Sequence, residues 1–168
     1  MNPEWTVALA QAVREVFENL CFMLPSHPRM SLPPEAPCLS RVILAVDFSG
    51  AGRGALHLIL PDSMIAPVAS AMLGEDGPLE LSEQYDAVCE LANIVCGNVL
   101  PLIAGERAVF DLASPRVIAT MDANLGDIFD ASARVLLDDG LVSACISLAQ
   151  TDGQKWDIEP EGLAAAAV

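Results

Sequence analysis

Residues 81–104, LSEQYDAVCELANIVCGNVLPLIA, carry the pattern that most constrains this chain. With Glu90 at the origin of a helical wheel, Asp86, Asn93, Gly97 and Pro101 fall within about 60° of it. Val88, Leu91, Ala92, Val95, Val99, Leu102 and Ile103 gather on the opposite side. A stripe that wide seats a helix on a core, so the spacing predicts one long amphipathic helix with a greasy side and a polar side. Glu90 and Asn93, three residues apart, share the polar face. A carboxylate and a carboxamide held together on a rigid surface suit delivery into another molecule's reactive centre.

The chain around this helix has 168 residues and 17.7 kDa, which fits one domain over residues 1–150 with a sizeable core. Hydrophobic residues make up 53% against 18% charged and 5% aromatic, so the interior is expected to be mostly aliphatic. A net charge of −15 argues against a phosphate backbone or an anionic membrane surface as partner, because like charges repel. It does not name a partner, since acidity serves solubility as well. The five cysteines, 21, 38, 89, 96 and 145, form no CxxC pair and fit buried, reduced thiols in a cytoplasmic protein. Neither a signal peptide nor a run of 18 apolar residues is visible, so no membrane span is expected.

Along the chain, residues 4–24 read as a first helix, with Leu9, Ala12, Val13, Val16, Phe17 and Leu20 at helical spacing and Pro25 as its stop. Five prolines within 25–40 predict an extended connection. Strands follow over 41–48 and 54–60, joined by Ser49-Gly50-Ala51-Gly52-Arg53. Pro61-Asp62-Ser63 supplies a strand stop and an N-cap for a shorter helix reaching about Leu73, with Pro67 near its first turn. Ser82 is the expected cap of the long helix, and a kink or early end is expected near Pro101. Further strands are read over 108–112, 116–121, 128–137 and 141–148, the last two joined by Asp138-Asp139-Gly140. Helices and antiparallel strands in separate blocks predict an α+β fold. Hairpins after each principal helix hint at two duplicated helix–hairpin halves sharing one core. The tail 151–168, acidic and then alanine-rich, is expected to be poorly ordered.

Most catalytic devices are missing from this sequence. His27 and His57 stand alone, and His57 alternates with Leu56 and Leu58 as a sheet residue would, so no resident metal is expected. Gly50-Ala51-Gly52-Arg53-Gly54 lacks the ending of a phosphate loop and reads as a hairpin turn. Asp138-Asp139 and the Asp122–Asp127 pair read as solvated turns rather than a hydrolase's two carboxylates. Glu90 and Asn93 remain. An ExxN spacing alone is commonplace on a wet helix face, but Gly97 follows one turn later at a cost of about 1 kcal/mol relative to alanine. A glycine there lets another backbone come close, and apolar Ile94 offers a contact. The plain alternative is a packing glycine beside an exposed isoleucine.

The stretch Glu90-Leu91-Ala92-Asn93-Ile94-Val95-Cys96-Gly97-Asn98 resembles the ELANxxxGN signature of the CheX-type chemotaxis phosphatases, relatives of CheC and FliY. Val46-Asp47-Phe48-Ser49-Gly50, Gly54-Ala55-Leu56-His57-Leu58, Ala69-Ser70-Ala71-Met72-Leu73-Gly74 and Val142–Leu148 are similar to further parts of that family, covering roughly residues 5–149. The resemblance implies a CheC-like fold, with long helices packed on an antiparallel sheet. It also implies a phosphatase acting on the aspartyl phosphate of a CheY-type response regulator. Carried over, Glu90 would pair with a lysine of the regulator and Asn93 would orient the attacking water. Asp86, Ile94, Gly97 and Asn98 would complete the docking face. No cofactor would be bound by this chain, Mg²⁺ being supplied by the phosphorylated partner. A homodimer is implied as well. Members of the family often carry a lysine two residues after the GN pair, where this chain has Leu100 followed by Pro101. That departure sustains the alternative of a non-catalytic module binding a response regulator or a flagellar switch component. A structural dimerisation domain is the blandest reading.

Overall fold

A computed structural model of the chain describes residues 2–26, 40–120 and 129–149. The proline-rich connection (apart from its ends), the strand ends expected at Met121 and Ile128, and the alanine-rich tail lie outside these residues. Helix α1 spans Pro3–Cys21; Asn2 caps it by accepting from the Glu4 and Trp5 N–H groups at 3.0 and 3.5 Å. The helix ends before Pro25, because Phe22 turns into the left-handed region at φ 57° and its N–H closes onto Phe17 O. Pro25 instead bridges to Leu137 on the sheet.

Strands β1 (Arg41–Gly50) and β2 (Gly54–Pro61) form the first hairpin. A 3₁₀ turn, Asp62–Met64, leads without a side-chain cap into α2, Ile65–Leu73. The expected Asp62/Ser63 cap is therefore absent; the tight turn takes its place in starting the helix. Gly74, at φ 67°, closes α2. Then follow α3 (Leu81–Ala104), β3 (Phe110–Leu112), β4 (Arg116–Thr120), β5 (Ala131–Leu137) and β6 (Gly140–Leu148).

The strands make one antiparallel sheet in the order β3-β1-β2-β6-β5, with β4 also paired to β1. The hairpins β1–β2 and β5–β6 meet through their second strands, from Gly54 opposite Leu148 to Ile59 opposite Ser143. Each hairpin follows a long helix in the chain, the arrangement expected of two helix–hairpin halves. Alternation sorts each strand. Val42, Leu44, Val46 and Phe48 of β1, Leu56, Leu58 and Leu60 of β2, and Val142, Ala144 and Ile146 of β6 face the helices. On the other face Ile43, Ile59 and Cys145 form a small second cluster with Phe129.

His57 belongs to that second face, directly across from Cys145, with its ring 5.2 Å from Phe129. Its Nδ1 is buried without a hydrogen-bond partner. Burial pushes the imidazole pKa below its ordinary value of 6.5; Asp47 opposes the shift and Arg116 adds to it. Between the lowered folded value and 6.5, the unfolded chain binds more protons than the native one. The contribution of His57 is therefore full above the ordinary value and is lost as pH falls through the folded value. Urea unfolding between about pH 7 and about pH 5 should show the wild type losing more stability than His57→Gln. Parallel curves for the two proteins would contradict this.

Candidate functional site

The site is built on α3, so its geometry begins with how that helix is held. Its first turn is fixed by a reciprocal capping box: Glu80 accepts from the Glu83 N–H, and the Glu80 N–H donates to Glu83 Oε2 at 2.9 Å. Two otherwise orphaned donors are satisfied this way, which places Ser82, the expected cap, inside the helix. Ala87, Val88, Leu91, Ala92, Val95, Cys96, Val99, Leu100 and Ile103 are buried, while Leu102 is half-buried. With 24 residues and an 18-residue window of mean hydropathy 1.7, α3 is long and apolar enough to cross a membrane, which no run in the sequence suggested. Half of that window is spent inside the core of this fold. The helix does not break at Pro101: it continues to Ala104, and Gly105 N–H reaches Pro101 O at 2.9 Å. One turn from the end, the proline removes a single rung of the ladder.

The other side of α3 holds the candidate residues. Glu90 is exposed, and no ion-pair partner stands beside it among the described residues. Asp86, Gly97, Asn98 and Pro101 are exposed too. Asn93 departs from the expectation that it stands clear of the surface: it is half-buried, and its Oδ1 is out of solvent contact with no hydrogen-bond partner. Ile94 is likewise half-buried and packs against the core, so only part of it remains for an outside contact. Leu100, the expected departure from the family pattern, is 2% exposed and belongs to the core, not to this face.

Gly97 tells more than its spacing did. A Cβ built on it would meet only Leu112 Cδ1, at 3.9 Å, an ordinary contact. The packing-glycine explanation finds no support, because nothing among the described residues needs the space. Leu112, on the three-residue strand β3, walls this end of the face and also lines an open cavity of about 690 Å³ with Phe48, Arg53 and Leu148. Sequence reading placed Leu112 at the end of a strand over 108–112 but not beside this face, because pairing across the sheet leaves no local signal.

Electrostatically the face is one-sided. Helix α3 has no lysine or arginine, while Glu83, Asp86 and Glu90 are exposed on it. The ion pair formed among the described residues, Arg116 with Asp47, lies on the sheet. The described cysteines are unpaired. Burial pushes the Cys96 thiol up to about 12 and those of Cys21 and Cys145 to about 11; burial, then Asp86, raises Cys89. Thiols kept protonated in this way make poor nucleophiles. No group of three His, Cys, Asp or Glu side chains able to hold a metal occurs among the described residues.

Replacing Gly97 with alanine removes the helix penalty of glycine and adds no more than an ordinary contact with Leu112. Gly97→Ala should raise unfolding free energy by about 0.5–1 kcal/mol in chemical denaturation. A loss of stability would restore a packing role for the glycine.

Comparison with known proteins follows the same outline. The sequence model described as Chemotaxis phosphatase CheX matches residues 42–133, more than half of the chain. The fold is similar to the chemotaxis protein CheX of Desulfovibrio desulfuricans at TM-score 0.66 and 18% identity, covering 87% of this chain and 99% of that one. It is similar to CheX of Vibrio vulnificus at TM-score 0.62 and 17% identity, covering 89% and 100%. A third likeness is the CheX–CheY–BeF₃–Mg complex of Borrelia burgdorferi, at TM-score 0.60 and 17% identity, covering 87% and 98%. Among curated proteins no sequence matches. With its residues 42–133 matching the family and its fold shared along nearly the whole length of these relatives, the chain belongs to the CheX family of chemotaxis phosphatases.

Proposed function

We propose that this chain hydrolyses the aspartyl phosphate of a CheY-type response regulator, with Asn93 orienting the attacking water and Glu90 docking a lysine of the regulator. The observation that carries the reading is the pairing of an unpartnered exposed carboxylate with an unpartnered amide oxygen on one helix face. Neither oxygen group has a partner among the described residues. The complex of the Borrelia burgdorferi relative, CheX with CheY, beryllium fluoride and magnesium, favours the same class of partner.

The chemistry asks little of such a chain. An acyl phosphate is already activated, and hydrolysis forms a bond from water oxygen to phosphorus while the bond to the aspartyl oxygen breaks. The products are the free carboxylate and inorganic phosphate, and the water's proton leaves with phosphate or solvent. The metal for this chemistry, Mg²⁺, is the regulator's own, so this chain supplies position. A carboxamide accepts from water through oxygen and donates through nitrogen without changing protonation. It resembles in this respect the glutamines that orient water in GTP hydrolysis. Glu90, exposed one turn before Asn93, fixes the angle of approach, and Asp86, Gly97 and Asn98 bound the contact.

Phosphate loss from a regulator charged with a small-molecule phosphodonor tests the reading. The wild-type chain should accelerate it, and Asn93→Ala should lower the rate by about 10²-fold or more. The same substitution removes a shielded acceptor that no described group satisfies, so folding should be unchanged or slightly improved. Binding without faster phosphate loss would favour the non-catalytic module instead.

Two copies are proposed to pair along β4. Its Val117 and Ile118 are 42% and 49% exposed, and its outer edge meets no strand among the described residues. Such an edge invites another strand. Light scattering should give twice the chain mass; a single-chain mass at micromolar concentration would exclude the pairing.

A further inference from the structure

Gly97 and Pro101 are four residues apart, so they share one rung of the α3 ladder. In an α-helix the carbonyl of residue 97 accepts from the N–H of residue 101, and proline has none. The helix continues on both sides of this gap and closes with the Gly105 N–H on Pro101 O. The missing donor therefore concerns one carbonyl, that of Gly97. Both residues are exposed, and the exposed surface of a glycine is backbone alone. Leu112 approaches no nearer than ordinary contact with the place a Cβ would take. The rung lies on the Glu90 side of the helix, within about 20° of it on the wheel.

We infer that the main-chain carbonyl of Gly97 is a docking group, accepting a hydrogen bond from a lysine or arginine side chain of the bound CheY-type regulator. It rests on the docking reading above and adds a second anchor to it. The donor is cationic because the surroundings select for one. Helix α3 carries no basic residue, Glu83, Asp86 and Glu90 are exposed along it, and the chain bears a net charge of −15. A carbonyl freed of its intrahelical donor presents unused acceptor capacity to that cation. Pro101 removes the N–H that would occupy it, and Gly97 leaves the backbone of the same rung without a side chain. The two residues act as one device.

Three proteins separate the carbonyl from the proline ring: wild type, Pro101→Ala, and a chain with lactate at position 101. The alanine restores the N–H and removes the ring. The lactate ester removes the ring but supplies no N–H. Each is titrated against a CheY-type receiver domain activated with beryllium fluoride. Pro101→Ala should raise Kd about tenfold, the worth of one charge-assisted hydrogen bond, and the ester should bind within about twofold of wild type. Alanine is a better helix former than proline, so weaker binding by that variant accompanies a helix at least as stable. Equal Kd values for all three proteins would overturn the inference, and so would equal weakening by alanine and ester, which would assign the contact to the ring. Failure of the underlying reading is distinct: the wild type itself would not bind the activated domain, or Asn93→Ala would leave phosphate loss at the wild-type rate.

Discussion

Everything at the candidate site depends on how one side of α3 is sealed. Leu91, Ala92, Val95, Cys96 and Val99 have no exposed surface, packed where α1, α2 and the sheet meet. Burying that stripe, at about 25 cal/mol for each Å² of apolar surface, fixes the rotation of the helix about its axis. Rotation is the variable that matters for Glu90 and Asn93. A turn of one residue position, about 100°, would carry Asn93 into the core or swing Glu90 against it. The same sealing makes the long, apolar helix a core element here, although its length and hydropathy would suit a bilayer.

The sheet serves this placement from the other side. β1, β2 and β6 lie in its interior, and each turns a row of branched or aromatic side chains toward the helices. Two hairpins joined through β2 and β6 give a surface broad enough for α1 and α3 to rest on together. The short β3, paired to the end of β1, brings Leu112 beside Gly97 and so closes the candidate face at its C-terminal end. A three-residue strand thus sets one boundary of the site, while the capping box at Glu80 and Glu83 sets where the helix begins.

Much of this was legible in the residues. The α3 stripe, the hairpin turns at 51–53 and 138–139, and the separation of helices from antiparallel strands follow from periods of 3.6 and 2 and from turn chemistry. The family followed from ELANIVCGN together with the hairpin and α2 stretches. Where reading failed, the competing force was local. Ser82 looked like a cap, yet Glu80 and Glu83 satisfy two backbone donors where serine would satisfy one. Phe22 ends α1 in a left-handed turn that no bulky residue advertises, since that conformation ordinarily belongs to glycine. Asn93 and Ile94 looked free because a wheel has no depth; neighbours rising around the helix shade both.

Three residues of α3 break local rules without compensation among the described residues. Gly97 spends helix propensity on space that nothing fills. Pro101 deletes a rung from a helix that goes on regardless. Asn93 shields an amide oxygen that finds no donor. Any one of these is an ordinary blemish, and proteins carry many. Natural sequences are otherwise consistent across local and global levels, so uncompensated violations are expected where function, not folding, sets the residue. All three of these lie on the face that Glu90 occupies, and the buried face of the same helix has none. Selection for stability alone would act on both faces alike. The asymmetry is what a surface shaped by a docked partner would leave behind: a missing methyl, a missing N–H and an oxygen that no described donor meets, all on one side of the helix.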